Sequence, residues 1–134
     1  MNSSNEYMRM SHIEDFMQRL VVKSGCATAD ETFSDKLPSV IKDYERMVFI
    51  DTNSQNANGP YTSGSVSIYL YVRPTSVHLQ AEKRELDSME SKMRTTIEES
   101  RDEHYMIEVN WSDSGYDDSA TLLYNILNVS IIVK

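Results

Sequence analysis

Three groups of side chains have types and spacings from which chemistry could be built. Glu98, Glu99, Asp102 and Glu103 offer paired carboxylates, the minimum for general acid–base work. Arg94 and Arg101 stand among them at helical spacings, so ion pairing along a solvated helix face accounts for the cluster. Asp113, Asp117 and Asp118 invite a calcium reading, but Asp113-Ser114-Gly115-Tyr116-Asp117-Asp118 lacks the alternating oxygen ligands and the distal glutamate of a calcium loop. It reads as a hairpin turn. Cys26 would need a partner base to act as a nucleophile, and His12, His78 and His104 are dispersed. None of the three has a second ligand at zinc spacing, and Gly25, Gly59, Gly64 and Gly115 are too scattered to cradle a phosphate. The sequence therefore assigns no catalytic residue, cofactor or metal ion. A hydrolase would have to be assembled from Glu98, Glu99, Asp113 and Asp117.

The tyrosines point to protein contact instead. Tyr69 and Tyr71 alternate on the polar side of a strand, and Tyr61 and Tyr116 fall in segments rich in turn formers. Amphipathic rings give large contact area at low entropy cost, so Tyr61, Tyr69, Tyr71, Tyr116 and the neighbouring Asp117 are the interface candidates. The competing reading has the same rings covering a second sheet face within the chain.

These residues need a scaffold. Ser11 and Glu14 form a capping-box pattern, Ile13, Phe16, Met17, Leu20 and Val21 recur on one helical face, and Gly25 supplies a left-handed stop. Residues 26–44 show no period and are broken at Leu37-Pro38. Residues 46–51 (RMVFID) and 66–73 (VSIYLYVR) read as strands, and the polar stretch 52–65 between them as an extended hairpin loop. After Pro74, Thr75 or Ser76 can cap a long helix to about Asp102 with Leu79, Leu86, Met89, Met93 and Ile97 inward. Residues 105–111 alternate with Tyr105, Ile107, Val109 and Trp111 on one side, 112–119 read as a turn, and 121–133 as a long apolar strand. The expected fold is α+β: one domain over residues 1–134, with 1–10 a flexible leader. Two antiparallel hairpins joined by the long helix make a mixed four-stranded sheet, and both helices share one of its faces.

Size and charge fit that scaffold. A chain of 134 residues is a usual single-domain length, and 40% hydrophobic with 25% charged residues is ordinary globular composition. The net charge of −8 argues against a general nucleic-acid or membrane-surface binder. No apolar run approaches the ~20 residues that span a bilayer, and Met1–Met10 lacks the apolar core of a secretory signal.

Three stretches carry a resemblance: SHIEDFMQRLVVKSG; the strand and helix VSIYLYVRPTSVHLQAEKRELDSMESKMRTTI; and the closing hairpin EVNWSDSGYDDSATLLYNILNVSIIVK. In element order they resemble the tail-completion (tail-terminator) and head-tail joining proteins of long-tailed phages and prophages. The resemblance implies a structural virion protein without enzymatic activity, assembled in the bacterial cytoplasm. Its partners would be further copies in a ring, the tail tube and the head connector, with DNA only as passing cargo and no membrane contact. An acidic ring lumen would repel phosphate and let the duplex slide. The alternative is a small soluble acidic protein-binding or regulatory module, also without catalysis.

Overall fold

The computed structural model describes residues 10–34, 45–58, 61–74, 79–100, 105–117 and 122–133. Helix α1 (Met10–Ser24) opens the described chain. It starts at Met10, so Ser11 lies inside its first turn and not at the cap. Ile13, Met17, Leu20 and Val21 are at most 4% exposed. At ~1.5–3 kcal/mol per buried side chain, that stripe contributes on the order of 8 kcal/mol of gross burial. Gly25 ends the helix at φ +81, its N–H bonded to the Val22 carbonyl at 3.1 Å. The next residue, Cys26, is buried and donates its thiol hydrogen to the Met89 carbonyl at 2.9 Å, tying the exit of α1 to the second helix. Burial pushes that thiol pKa up, against the opposing hydrogen bond from Ser24.

A 3-10 turn (Ala29–Glu31) follows, with the Thr28 N–H donating to Glu31 Oε1 at 2.9 Å. It leads into strand β1 (Thr32–Phe33), which pairs in parallel with Val48 and Phe49. The sheet then comprises β2 (Arg46–Asn58), β3 (Tyr61–Val72), β4 (Tyr105–Asp117) and β5 (Leu122–Val133), with helix α2 (Gln80–Glu99) between β3 and β4. The spatial order is β1-β2-β3-β5-β4. The fold is α+β with a mixed sheet, but of five strands and not four. The four long strands are antiparallel throughout, and β1 alone introduces the parallel pair.

The structure also corrects the expected loops. β2 and β3 continue through most of 52–65, pairing Ser54 with Ser65 and Asn58 with Tyr61, past a bulge between Asp51 and Ser54. Backbone ladders need no apolar side chains. β3 is held over the same stretch by β5, where Thr62, Ser63 and Gly64 face Val133, Ile132 and Ile131. Likewise β4 runs on through Asp117, so 112–117 is strand and not turn. Helix α2 starts at Gln80 after Leu79, which adopts φ +59, and not at Thr75 or Ser76; those two, Leu37-Pro38 and residues 1–9 lie outside the described residues.

Register sorts the side chains into two faces. Val48, Ile50, Val66, Ile68, Leu70, Val72, Ile107, Leu123, Leu127, Val129 and Ile131 meet α1 and α2 in the main core. Leu86, Met89, Met93 and Ile97 are the α2 contribution, with Leu79 packed at its margin. Among the described residues both helices lie on this one face. No described helix is long and apolar enough to cross a membrane.

Candidate functional site

The second sheet face carries a cluster of aromatic residues. Register places Met47, Phe49, Tyr69, Tyr71, Leu122 and Tyr124 on it, and Phe33 of β1 joins them. The rings form a connected set. Tyr69 and Tyr71 stack with centroids 6.0 Å apart and planes 9° from parallel, and Tyr124 meets Tyr71 edge-on at 6.0 Å. Phe49 lies 6.1 Å from Tyr69. Offset stacks and edge contacts at this range are the favoured aromatic geometries. Tyr71 is only 5% exposed, and its pKa is pushed up to about 12, first by burial and then by the Asp117 carboxylate and the Tyr69 and Tyr124 phenols. Tyr69 is half-buried and shifted the same way by burial, then by Asp51 and Tyr124.

Gly115 makes room for this arrangement. It sits opposite Tyr124 in the ladder, and a Cβ there would lie 2.6 Å from the Tyr124 hydroxyl and 2.7 Å from Cζ. The Tyr124 ring therefore crosses β4 where a side chain is missing.

Towards the other end the same face becomes polar. Asn110 Nδ2 donates to Asn128 Oδ1 at 2.9 Å and to Ser130 Oγ at 2.6 Å, and Asn128 Nδ2 donates to Ser65 Oγ at 3.0 Å. Asn110 occupies a bulge, because Val109 faces Val129 while Trp111 faces Asn128. The extra residue reverses parity along the rest of β4. Trp111 consequently leaves the side shared by Ile107 and Val109 and stands 51% exposed on the second face, contrary to the uniform alternation expected over 105–111.

On the helix side, β4 is fastened by polar contacts. Asn125 is 4% exposed, and its Nδ2 donates to Glu90 Oε1 at 3.1 Å and Asp87 Oδ1 at 3.4 Å. Its Oδ1 accepts from Ser114 Oγ at 2.8 Å. The other Glu90 oxygen accepts from Arg94 Nε at 2.9 Å, and the same guanidinium reaches Ser112 Oγ at 3.0 Å. This network is absent from the sequence reading. Its trace there is a polar residue at an inward position of an otherwise apolar strand.

The five interface candidates do not form one patch. Tyr69 and Tyr71 share the aromatic cluster, Asp117 ends β4 on the same face, and Tyr116 points to the helix side, 43% exposed. Tyr61 begins β3, and its side chain lies outside the described residues. Tyr116 and Asp117 are strand residues, not turn residues. Of the carboxylates from which a hydrolase would be drawn, Glu98 and Glu99 belong to α2, whereas Asp113 and Asp117 lie on the reverse side of the sheet, so the four do not converge. Asp113 accepts the Ser114 backbone N–H at 2.8 Å, while Asp102, Glu103 and Asp118 lie outside the described residues. A cleft of about 410 Å³ near the β1–β2 edge is lined by Glu31, Glu45, Arg46, Arg73, Glu82 and Glu85. Arg46 lies 3.5 Å from Glu31 and 3.8 Å from Glu85 across it.

What sequence reasoning missed is the character of β4. Among the described residues the exposed large hydrophobics are Val22, Met106, Trp111 and Tyr116, so three of the four stand on this single edge strand. The signal was in the sequence, as Met106, Trp111 and Tyr116 in a strand read too short. The chain matches no protein-family model and no curated protein sequence.

Proposed function

We propose that the chain is a structural assembly protein: a virion component of a phage or prophage that caps the tail tube or joins tail to head as an oligomeric ring. The observation that carries the assembly part of this reading is the edge strand β4, 13 residues long, with Met106, Trp111 and Tyr116 each more than 40% exposed. A long edge strand bearing exposed apolar side chains is a template for pairing with another chain. The tail assignment rests on the resemblance of the element order, supported by the α+β arrangement with both described helices on one sheet face. On this reading the protein acts without a catalytic step or cofactor, it is built into particles in the bacterial cytoplasm, and DNA passes it as cargo.

Electron microscopy of the purified chain mixed with tail tubes tests the proposal. The expected result is density at one end of each tube. Bare tube ends, together with capture of a single cellular factor and no virion protein, would overturn it in favour of the small acidic binding module.

A further inference from the structure

Among the described residues β4 ends the sheet, and beyond the bulge at Asn110 its outer edge is open. Residues 110–114 are exposed in succession, which takes in side chains from both sheet faces, and Tyr116 is exposed as well. A strand lying alongside would shield both sets. The backbone agrees. The Ser114 N–H is turned away from β5 and donates to the Asp113 carboxylate at 2.8 Å. Backbone groups alternate between the two sides of a strand, so Ser112 and Tyr116, at the same parity, also present theirs at the edge.

Charge restricts the occupant. β4 contains Glu108, Asp113 and Asp117 and no base. Register puts these acids on the second sheet face together with Trp111, two residues before Asp113. From the helix side α2 brings Arg94 to this strand, committed to Glu90 and Ser112. A second copy is a poor match. Two β4 strands side by side would gather six carboxylates, and like charges on facing strands oppose pairing. Arg46 is the one base in the described strands, and it lies beside Glu31 and Glu85.

We propose that residues 111–116 of β4 take an extended segment of a different protein as an added strand, with a lysine or arginine beside Asp113 and an apolar side chain beside Trp111. Strand addition draws affinity from main-chain bonds and specificity from alternate side chains. On pairing, a carbonyl of the partner accepts the Ser114 N–H, and the Asp113 carboxylate turns to the incoming cation. The proposal rests on the assembly reading above and assigns β4 to the structure on which the ring sits, not to the contact between copies.

Trp111 is the chain's single tryptophan, so its emission reports this edge directly. The probe is a short threonine peptide with a lysine and, two residues away, a leucine, added at millimolar concentration to the full chain. A blue shift of Trp111 emission is expected, with roughly tenfold slower hydrogen exchange at the Ser112, Ser114 and Tyr116 amides at saturation. Asp113→Asn should weaken binding roughly two- to fivefold, the worth of an exposed ion pair. The same peptide with glutamate for lysine should not bind. Two adjacent prolines in the peptide, one of which must fall on a ladder position, should abolish the shift.

Binding without protection of those three amides, or equal binding by the glutamate peptide or by the Asp113→Asn chain, would overturn the proposal. So would the same protection in the chain alone rising with its concentration, which would make a second copy the occupant. No peptide binding by a chain that does cap tail tubes would overturn the proposal and leave the tail reading in place. Bare tube ends with peptide binding intact would do the reverse.

Discussion

Tyr71 ties the stability of the second face to alkaline pH. The residue is 5% exposed, and burial with the neighbouring Asp117 carboxylate pushes its phenol up to about 12 in the fold, against 10.0 for a free tyrosine. The folded pKa lies above the unfolded one, so the fold favours the neutral phenol. The resulting stability is fully present below about pH 10 and is lost as pH rises through about 12. At 1.36 kcal/mol per pKa unit the loss is on the order of 3 kcal/mol. A domain of this size is stable by roughly 5–15 kcal/mol, so the loss is a large part of the total. Urea unfolding at stepped pH, with tyrosinate absorbance followed in parallel, measures it. Tyr71→Phe keeps the ring and removes the titration, so its stability should fall by about 3 kcal/mol less over that window. Asp117→Asn removes the carboxylate that, after burial, does most to raise the pKa, and the late tyrosinate step should move to lower pH. A Tyr71→Phe protein with the same alkaline loss as the unaltered chain would refute the reasoning, by showing that other groups carry it.

Gly115→Ala places a Cβ 2.6 Å from the Tyr124 hydroxyl and forces the ring off β4. It should cost ~1–3 kcal/mol and lower the melting temperature by roughly 3–10 °C in calorimetry. The same change made in Tyr124→Leu should be nearly neutral, and an equal cost in both backgrounds would show that the ring does not cross there. Asn125→Leu keeps the branched side-chain skeleton and removes the bonds to Glu90, Asp87 and Ser114, for a loss of roughly 2–3 kcal/mol by denaturant titration. An unchanged midpoint would mean that the network contributes no net stability. Cys26 is 1% exposed with its pKa raised by burial, so a thiol reagent at neutral pH should label the folded chain far more slowly than the urea-unfolded one. Equal rates would contradict that burial.

The parts of this fold legible in the sequence are those where a period and a stop coincide. α1 shows a 3.6-residue stripe ended by Gly25, and β3 alternates so regularly that Tyr69 and Tyr71 fall opposite Ile68 and Leu70, as found. The misses share a cause, since strand extent is set by the partner strand and not by local composition. Ser54–Asn58 and Ser112–Asp117 look like loops, yet each is held by a neighbouring ladder. β1 is two residues long and has no room for a pattern. The bulge at Asn110 adds one residue and moves Trp111 across the sheet, which alternation counted from Tyr105 cannot register. The candidate surface was legible to the same degree. The ring types on β3 pointed to the second face, but the ring that meets both of them, Tyr124, is brought in from more than 50 residues further along the chain.

The order β1-β2-β3-β5-β4 carries a kinetic consequence. β5 comes last among the five strands in the chain yet sits between β3 and β4, forming both of the ladders that join the two halves of the sheet. Until Leu122–Val133 is made, the β2–β3 hairpin and β4 have no strand to connect them, and the main core lacks Leu123, Leu127, Val129 and Ile131. Closing such distant pairings is slow, because the loop entropy is lost before any contact repays it. Folding of the sheet therefore waits on its final strand, and the exposed edges of the half-built sheet are the state most open to aggregation. A chain cut before Leu122 should accumulate as that half-built form, which no supply of intact α1, α2 or hairpin can complete.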